Sequence, residues 1–224
     1  MKPITYLLLC LTFSASCKKD GVTTTPLASL NIINTIVGGS DAKLRSDNVA
    51  NIYNNGSGYY SVLPGNPDLY VYPIEDSVNP YYHANKTVVM EAGQIYSLFL
   101  GGVTSQITSL LVHENDLAKQ DDSIRVRILN FSPDAPPVNV RLSTLSDINE
   151  FSAIGFSEIT DFKAYKKTGT NTEYTFEFRD ANTDVLITSF TIYDYLFGFN
   201  HFTLVMQGMV AGDPAPGVTF VFHN

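Results

Sequence analysis

The stretch Tyr96-Ser97-Leu98-Phe99-Leu100-Gly101-Gly102-Val103 returns about 105 residues later as Phe202-Thr203-Leu204-Val205-Met206-Gln207-Gly208-Met209. Each copy is an apolar run of strand length, with Tyr96, Leu98 and Leu100 on one period-2 face in the first. The residues downstream also correspond, Leu110-Leu111-Val112-His113-Glu114-Asn115 with Thr219-Phe220-Val221-Phe222-His223-Asn224. Upstream, Leu30 to Asn34 matches Val126 to Asn130 at a shorter offset, which places an insertion of several residues in the second copy near Leu142 to Phe151. Three segments matched in the same order read as one unit present twice. Each unit is roughly 90 to 100 residues with about seven short strands, the size of an immunoglobulin-like sandwich.

Working outward, period-2 faces dominate: Leu30 and Ile32, Tyr70 and Tyr72, Tyr96, Leu98 and Leu100, Leu110 and Val112. Asn55-Gly56 and Pro64-Gly65 are turn pairs between them. No segment holds a helical period with caps; Asp147 to Ile154 has room for a turn or two of helix at most. Charged residues make up 16% of the chain, Tyr and Phe number 13 and 14, and Trp is absent. Low charge with many aromatic and β-branched residues favours sheet. The expected fold is therefore all-β: two tandem immunoglobulin-like β-sandwich domains, at 28–115 and 123–224, joined by the polar stretch Asn115 to Asp122. The net charge of −8, without a Lys/Arg stripe, argues against nucleic acid as a partner.

The N-terminus carries an address. Met1-Lys2 is a short positive region, Ile4 to Phe13 is an apolar run, and Ser14-Ala15-Ser16 leads to Cys17. That is the layout of a secretory signal peptide, and the run is too short to span a bilayer. Phe13-Ser14-Ala15-Ser16-Cys17-Lys18-Lys19-Asp20 resembles the lipobox and charged tether of Bacteroidetes-type lipoproteins. The resemblance implies that residues 1–17 are a lipoprotein signal peptide with its lipidated cysteine, Cys17, and that 18–27 form a flexible tether. It also implies a lipid anchor in the outer membrane, with the folded part surface-exposed or facing the periplasm. Acyl chains contribute about 0.8 kcal/mol per buried CH₂, so several together hold a protein stably. The other cysteine, Cys10, lies within the signal peptide. A lipidated Cys17 leaves the mature chain with no thiol for a disulfide, a metal or nucleophilic catalysis.

A second resemblance lies in the later copy. Ile124-Arg125-Val126-Arg127-Ile128-Leu129-Asn130-Phe131-Ser132-Pro133-Asp134-Ala135-Pro136-Pro137-Val138-Asn139-Val140 is similar to the opening of the DUF4397 domain: a strand, a Ser-Pro-Asp-Ala-Pro turn and a second strand. Tyr174 to Asp180 and Phe202 to Val205 fit its later strands, so the likeness covers most of 123–224. In the first copy Val37-Gly38-Gly39-Ser40-Asp41-Ala42 is a degenerate match to the turn. The family implies a β-sandwich in bacterial surface and secreted proteins and brings no activity with it. Elementary chemistry gives the motif a structural role: Pro133 fixes φ, Asp134 accepts from backbone amides, and Pro136-Pro137 suits an edge or crossover.

Candidate chemistry is sparse. No Gly-x-Ser-x-Gly elbow is present, and His83, His113, His201 and His223 are scattered, so they are expected at the surface or at strand ends. No closely spaced His and Cys set suggests zinc. Glu75-Asp76, Glu114 with Asp116, and Asp121-Asp122 are the nearest carboxylate pairs, and adjacent strand residues point to opposite faces. The Asp116 to Asp122 run lacks EF-hand spacing and reads as solvated. No catalytic residue, metal or cofactor is assigned. Tyrosines gather in the first unit, and Tyr59, Tyr60, Tyr81 and Tyr82 are the candidate ligand-binding residues, with core filling as the competing role. The expected function is a non-catalytic envelope lipoprotein, a binding or spacer module with a cell-surface protein or glycan as partner. The rival is a glycan-binding accessory of a polysaccharide-uptake system.

Overall fold

A computed structural model describes residues 26–46, 50–115, 117, 121, 123–145, 147–167, 169, 172–193, 195–196 and 201–223. The signal segment, Cys17 and most of the 18–27 tether lie outside the described residues. The described chain holds fifteen strands and no α-helix. The first half contributes β1 (Ala28–Asn34), β2 (Ala42–Leu44), β3 (Gly56–Val62), β4 (Tyr70–Pro73), β5 (Tyr82–His83), β6 (Ile95–Val103) and β7 (Gln106–His113). The second contributes β8 (Ser123–Asn130), β9 (Val138–Leu142), β10 (Asn149–Ile154), β11 (Lys163–Lys166), β12 (Glu173–Asp180), β13 (Leu186–Tyr193), β14 (His201–Gln207) and β15 (Gly217–His223).

Each half is a β-sandwich. In the first, a four-stranded sheet of order β3-β1-β6-β7 faces a three-stranded sheet, β2-β4-β5; in the second, β11-β8-β14-β15 faces β10-β9-β12-β13. The connectivity repeats. β1 lies parallel to β6 and antiparallel to β3, as β8 lies parallel to β14 and antiparallel to β11. Among the described residues the strand without a counterpart is β10, at the edge of an outer sheet. The sequence leaves room there for a short helical turn. The residues instead pair with β9 in a ladder broken by register shifts, with Ala153 at φ +53°. Edge strands tolerate such breaks because one side has no partner to satisfy.

The repeated glycine has a backbone reason. Gly102, one residue before the end of β6, and Gly208, just after β14, sit at φ +83° and +92°. A Cβ at Gly102 would lie 2.5 Å from the Gln106 carbonyl oxygen, and at Gly208 it would collide with the Ala215 carbonyl. Only glycine fits there.

Three apolar cores result. Leu30, Ile32, Leu98 and Leu100 from one face of β1 and β6 meet Leu69, Val71 and Met90 in the first sandwich. Val126, Ile128, Leu204 and Met206 meet Val140, Phe176 and Phe178 in the second. The third core lies between the halves: Ile33, Phe99, Leu129, Phe131, Val205 and Val221, with Leu110, Val112 and Ile159 against them. The two inner sheets are thus buried on both faces. The molecule is four layers deep.

Candidate functional site

Beside the third core the seam turns polar. Arg127, on β8 between the inward Val126 and Ile128, projects to the opposite face and is 5% exposed. Its Nη2 donates to Glu114 Oε1 at 2.6 Å, and its Nε donates to Thr203 Oγ1 at 2.8 Å. The guanidinium lies 4.4 Å from the centre of the Phe162 ring, a cation–π contact. Glu114 follows β7 in the first half, whereas Arg127 and Thr203 belong to the second, so this ion pair crosses the seam.

His223, the last residue of β15, completes the group. Its Nε2 lies 2.7 Å from Thr203 Oγ1, and its Nδ1 lies 3.5 Å from Ser97 Oγ and 3.7 Å from Glu114 Oε1. Thr203 already accepts from Arg127, so its hydroxyl proton points to Nε2, which acts as acceptor. The imidazole proton then sits on Nδ1, facing Glu114 and Ser97. Burial pushes the imidazole down to about 4, against the pull of Glu114. Burial alone would raise the Glu114 carboxyl. The charge and hydrogen bond of Arg127, followed by the charge of His223, more than offset that, and the carboxyl sits below its ordinary range. The result is a buried cation, a buried anion and a neutral histidine between them.

A hydroxyl, an imidazole and a carboxylate in line have the outline of a hydrolytic triad. Access decides against that use. Ser97 and Thr203 are fully buried, and neither they nor His223 lines the neighbouring cavity. Thr203 is fixed by Arg127, and an imidazole held so far below neutrality is a weak base. That cavity, of about 420 Å³, opens at the end of the seam between β7 and the segment before β11, and its wall includes His113, Glu114, Arg125, Arg127, Phe162 and His201. Among the described residues no group of three or more His, Cys, Asp or Glu side chains is placed to hold a metal.

The sequence candidates fall elsewhere. Tyr59 and Tyr60 point to opposite faces of β3. Tyr60 is buried in the first core and donates to the Ala50 carbonyl at 3.0 Å; burial raises its phenol. Tyr59 reaches across the seam, donating to the Phe222 carbonyl with its ring 6.2 Å from that of Phe222. The Tyr81 hydroxyl accepts from Ser40 N at 2.9 Å, and both Tyr81 and Tyr82 pack on the first core. These four tyrosines do not share a face. Cys17 lies outside the described residues. His201 and His223 do occupy strand ends, but they are buried at 1% and 4% exposure, which corrects the expected surface placement. The physical reason is the second sheet stacked over their strands. His83 meets Asp68 at 2.8 Å, and His113 stacks on Tyr96 at 4.7 Å. Asp121 is engaged by Arg125 at 2.7 Å, while Asp116 and Asp122 are not described. Asp134 accepts from the amides of Val210 and Ala211 at 2.7 and 2.8 Å, tying its turn to the loop after β14.

Reading along the sequence does not reveal the seam. The available signal is Glu114 and His223, which occupy equivalent places in the matched segments.

The family model described as "Domain of unknown function (DUF4397)" matches residues 28–141, half of the chain. The chain belongs to that family. The match begins with β1 and ends within β9, so it takes in the whole first half and the Ser-Pro-Asp-Ala-Pro turn. The likeness placed on 123–224 from sequence therefore shifts toward the first copy, as a shared strand order in both halves permits. No curated protein matches the sequence. Among solved structures, the C-terminal domain of AlgF from P. aeruginosa is similar at 17% identity and a TM-score of 0.32, covering 40% of this chain and all of that one.

Proposed function

We propose that this DUF4397 member is a non-catalytic module of the bacterial cell envelope, anchored through Cys17, whose two sandwiches serve as one stiff body for binding or spacing. The observation that supports it is the fate of the polar seam. Arg127, Glu114, Thr203 and His223 are buried and satisfy one another, which suits holding two domains in register better than turning over a substrate. The anchor reading rests on the Ser14-Ala15-Ser16-Cys17 layout.

Metabolic labelling with an alkyne fatty acid tests it, using the full chain and a Cys17→Ser variant in a lipoprotein-processing bacterium. The wild type should take the label and partition into detergent, and the variant should do neither. An unmodified Cys17 thiol in the processed protein would end the anchor reading. A glycan array on the soluble part separates the roles: binding that competes with free oligosaccharide would favour the glycan-binding accessory over the spacer.

A further inference from the structure

The two inner sheets are copies of each other, and they meet face to face. Register fixes the equivalences: Asn31 lies beside Ser97 on parallel strands as Arg127 lies beside Thr203, and Ile33 beside Phe99 as Leu129 beside Val205. Ser97 faces Val112 as Thr203 faces Val221, so Glu114 and His223 hold the same place one step beyond the next pair.

The stacking runs in reversed order. β3 lies against β15 through Tyr59 and Phe222, and β7 lies against the segment leading to β11 through Leu110, Val112 and Ile159. β6 meets the β8 side, where a Cβ on Gly101 would lie 2.5 Å from Phe131 Cγ. Copies stacked in reversed order, with equivalent residues at one level along the strands, are related by a two-fold axis parallel to the strands. That is the geometry of an isologous dimer interface. The unmatched β10 belongs to an outer sheet, so the inner sheets keep the same four strands.

We infer that the seam is a self-association interface made internal by duplication, and that its polar layer renders each face selective for the opposite half rather than for a second copy of itself. Equivalent residues touch there: Glu114 and His223 at 3.7 Å, with Ser97 and Thr203 on the two nitrogens of the same imidazole. Two first halves joined this way would set Glu114 against Glu114 with Asn31 in place of arginine. Two second halves would bury two Arg127 side chains with no carboxylate. Only the mixed pair places Arg127 against Glu114, at 2.6 Å. Like-charge juxtaposition disfavours both homotypic pairs, which is how charge selects partners at interfaces. This selectivity belongs to the two halves and is independent of where the protein resides.

A specific protease site inserted after residue 118 of the full chain, cut after folding, tests this. Native mass spectrometry should find the halves held as a one-to-one mixed pair, with neither homotypic pair. Glu114→Arg should weaken the cut pair on the order of a hundredfold, and adding Arg127→Glu should recover it to within about tenfold. Halves that part on cleavage, or homotypic pairs as abundant as the mixed one, would overturn the inference before any variant is made. A double variant no tighter than the single one would also overturn it.

Discussion

Acidification should weaken this protein through His223 before its carboxylates titrate. The groups facing it are Glu114 after β7, Arg127 on β8 and His201 on β14. In the unfolded chain a histidine titrates near 6.5, whereas in the folded one burial holds His223 down to about 4. Between those values the unfolded state binds a proton that the folded state refuses, so stability falls as pH falls through the interval. At 1.36 kcal/mol for each unit of difference, the loss is about 2 kcal/mol by pH 5 and about 3 kcal/mol once the interval is crossed. Glu114 acts in the same direction but lower: its folded value is depressed, so its contribution disappears only as pH drops below the ordinary carboxylate range. Urea unfolding at pH 7.5, 6 and 5 reads the effect, with His223→Gln as the control. Glutamine keeps an acceptor for Thr203 and cannot be protonated. Wild type should lose about 2 kcal/mol more than the variant between pH 7.5 and 5. Equal losses in the two proteins would refute the reasoning.

The remaining predictions concern packing and polar satisfaction, read by denaturant or thermal unfolding. Gly101→Ala forces a methyl into the Phe131 ring and should cost about 1–3 kcal/mol, with Phe131→Leu recovering part of it; no loss would show that the seam gives way freely. Glu114→Ala leaves Arg127 buried without its anion and should cost about 3–5 kcal/mol, whereas Glu114→Leu with Arg127→Met should cost far less; equal costs would contradict the buried-pair explanation. Asn31 is fully buried with neither side-chain polar atom hydrogen-bonded, so Asn31→Leu should stabilise by about 1–3 kcal/mol, and destabilisation would reveal a partner for it. Asp134→Ala frees the amides of Val210 and Ala211 and should cost about 1 kcal/mol, visible as faster hydrogen exchange at those two residues.

Alternation and repetition carried the fold class and the doubled unit. They reported local geometry, namely which residues share a face of a strand, while the positive φ of the repeated Gly102 and Gly208 became visible only in the backbone. The insertion read near Leu142 to Phe151 overlaps β10, though its form was not legible because an irregular edge strand has no strict period. Tyrosines adjacent in sequence suggested a patch, but neighbours on a strand face apart, and Tyr60 went to the core while Tyr59 went to the seam.

By itself the sequence determined that the chain builds two like sandwiches. Only the tertiary structure decided that their inner sheets join. In Ser-Ile-Arg-Val-Arg-Ile-Leu-Asn the arginines alternate with core residues as on any half-solvated strand, yet Arg127 is buried. A polar face in a period-2 pattern looks the same whether it meets water or a second sheet bearing the complementary charge. Its covering comes from the other sheet's edge, Glu114 just after β7, and from the distant His223 at the end of β15, so no period-2 pattern along β8 records it.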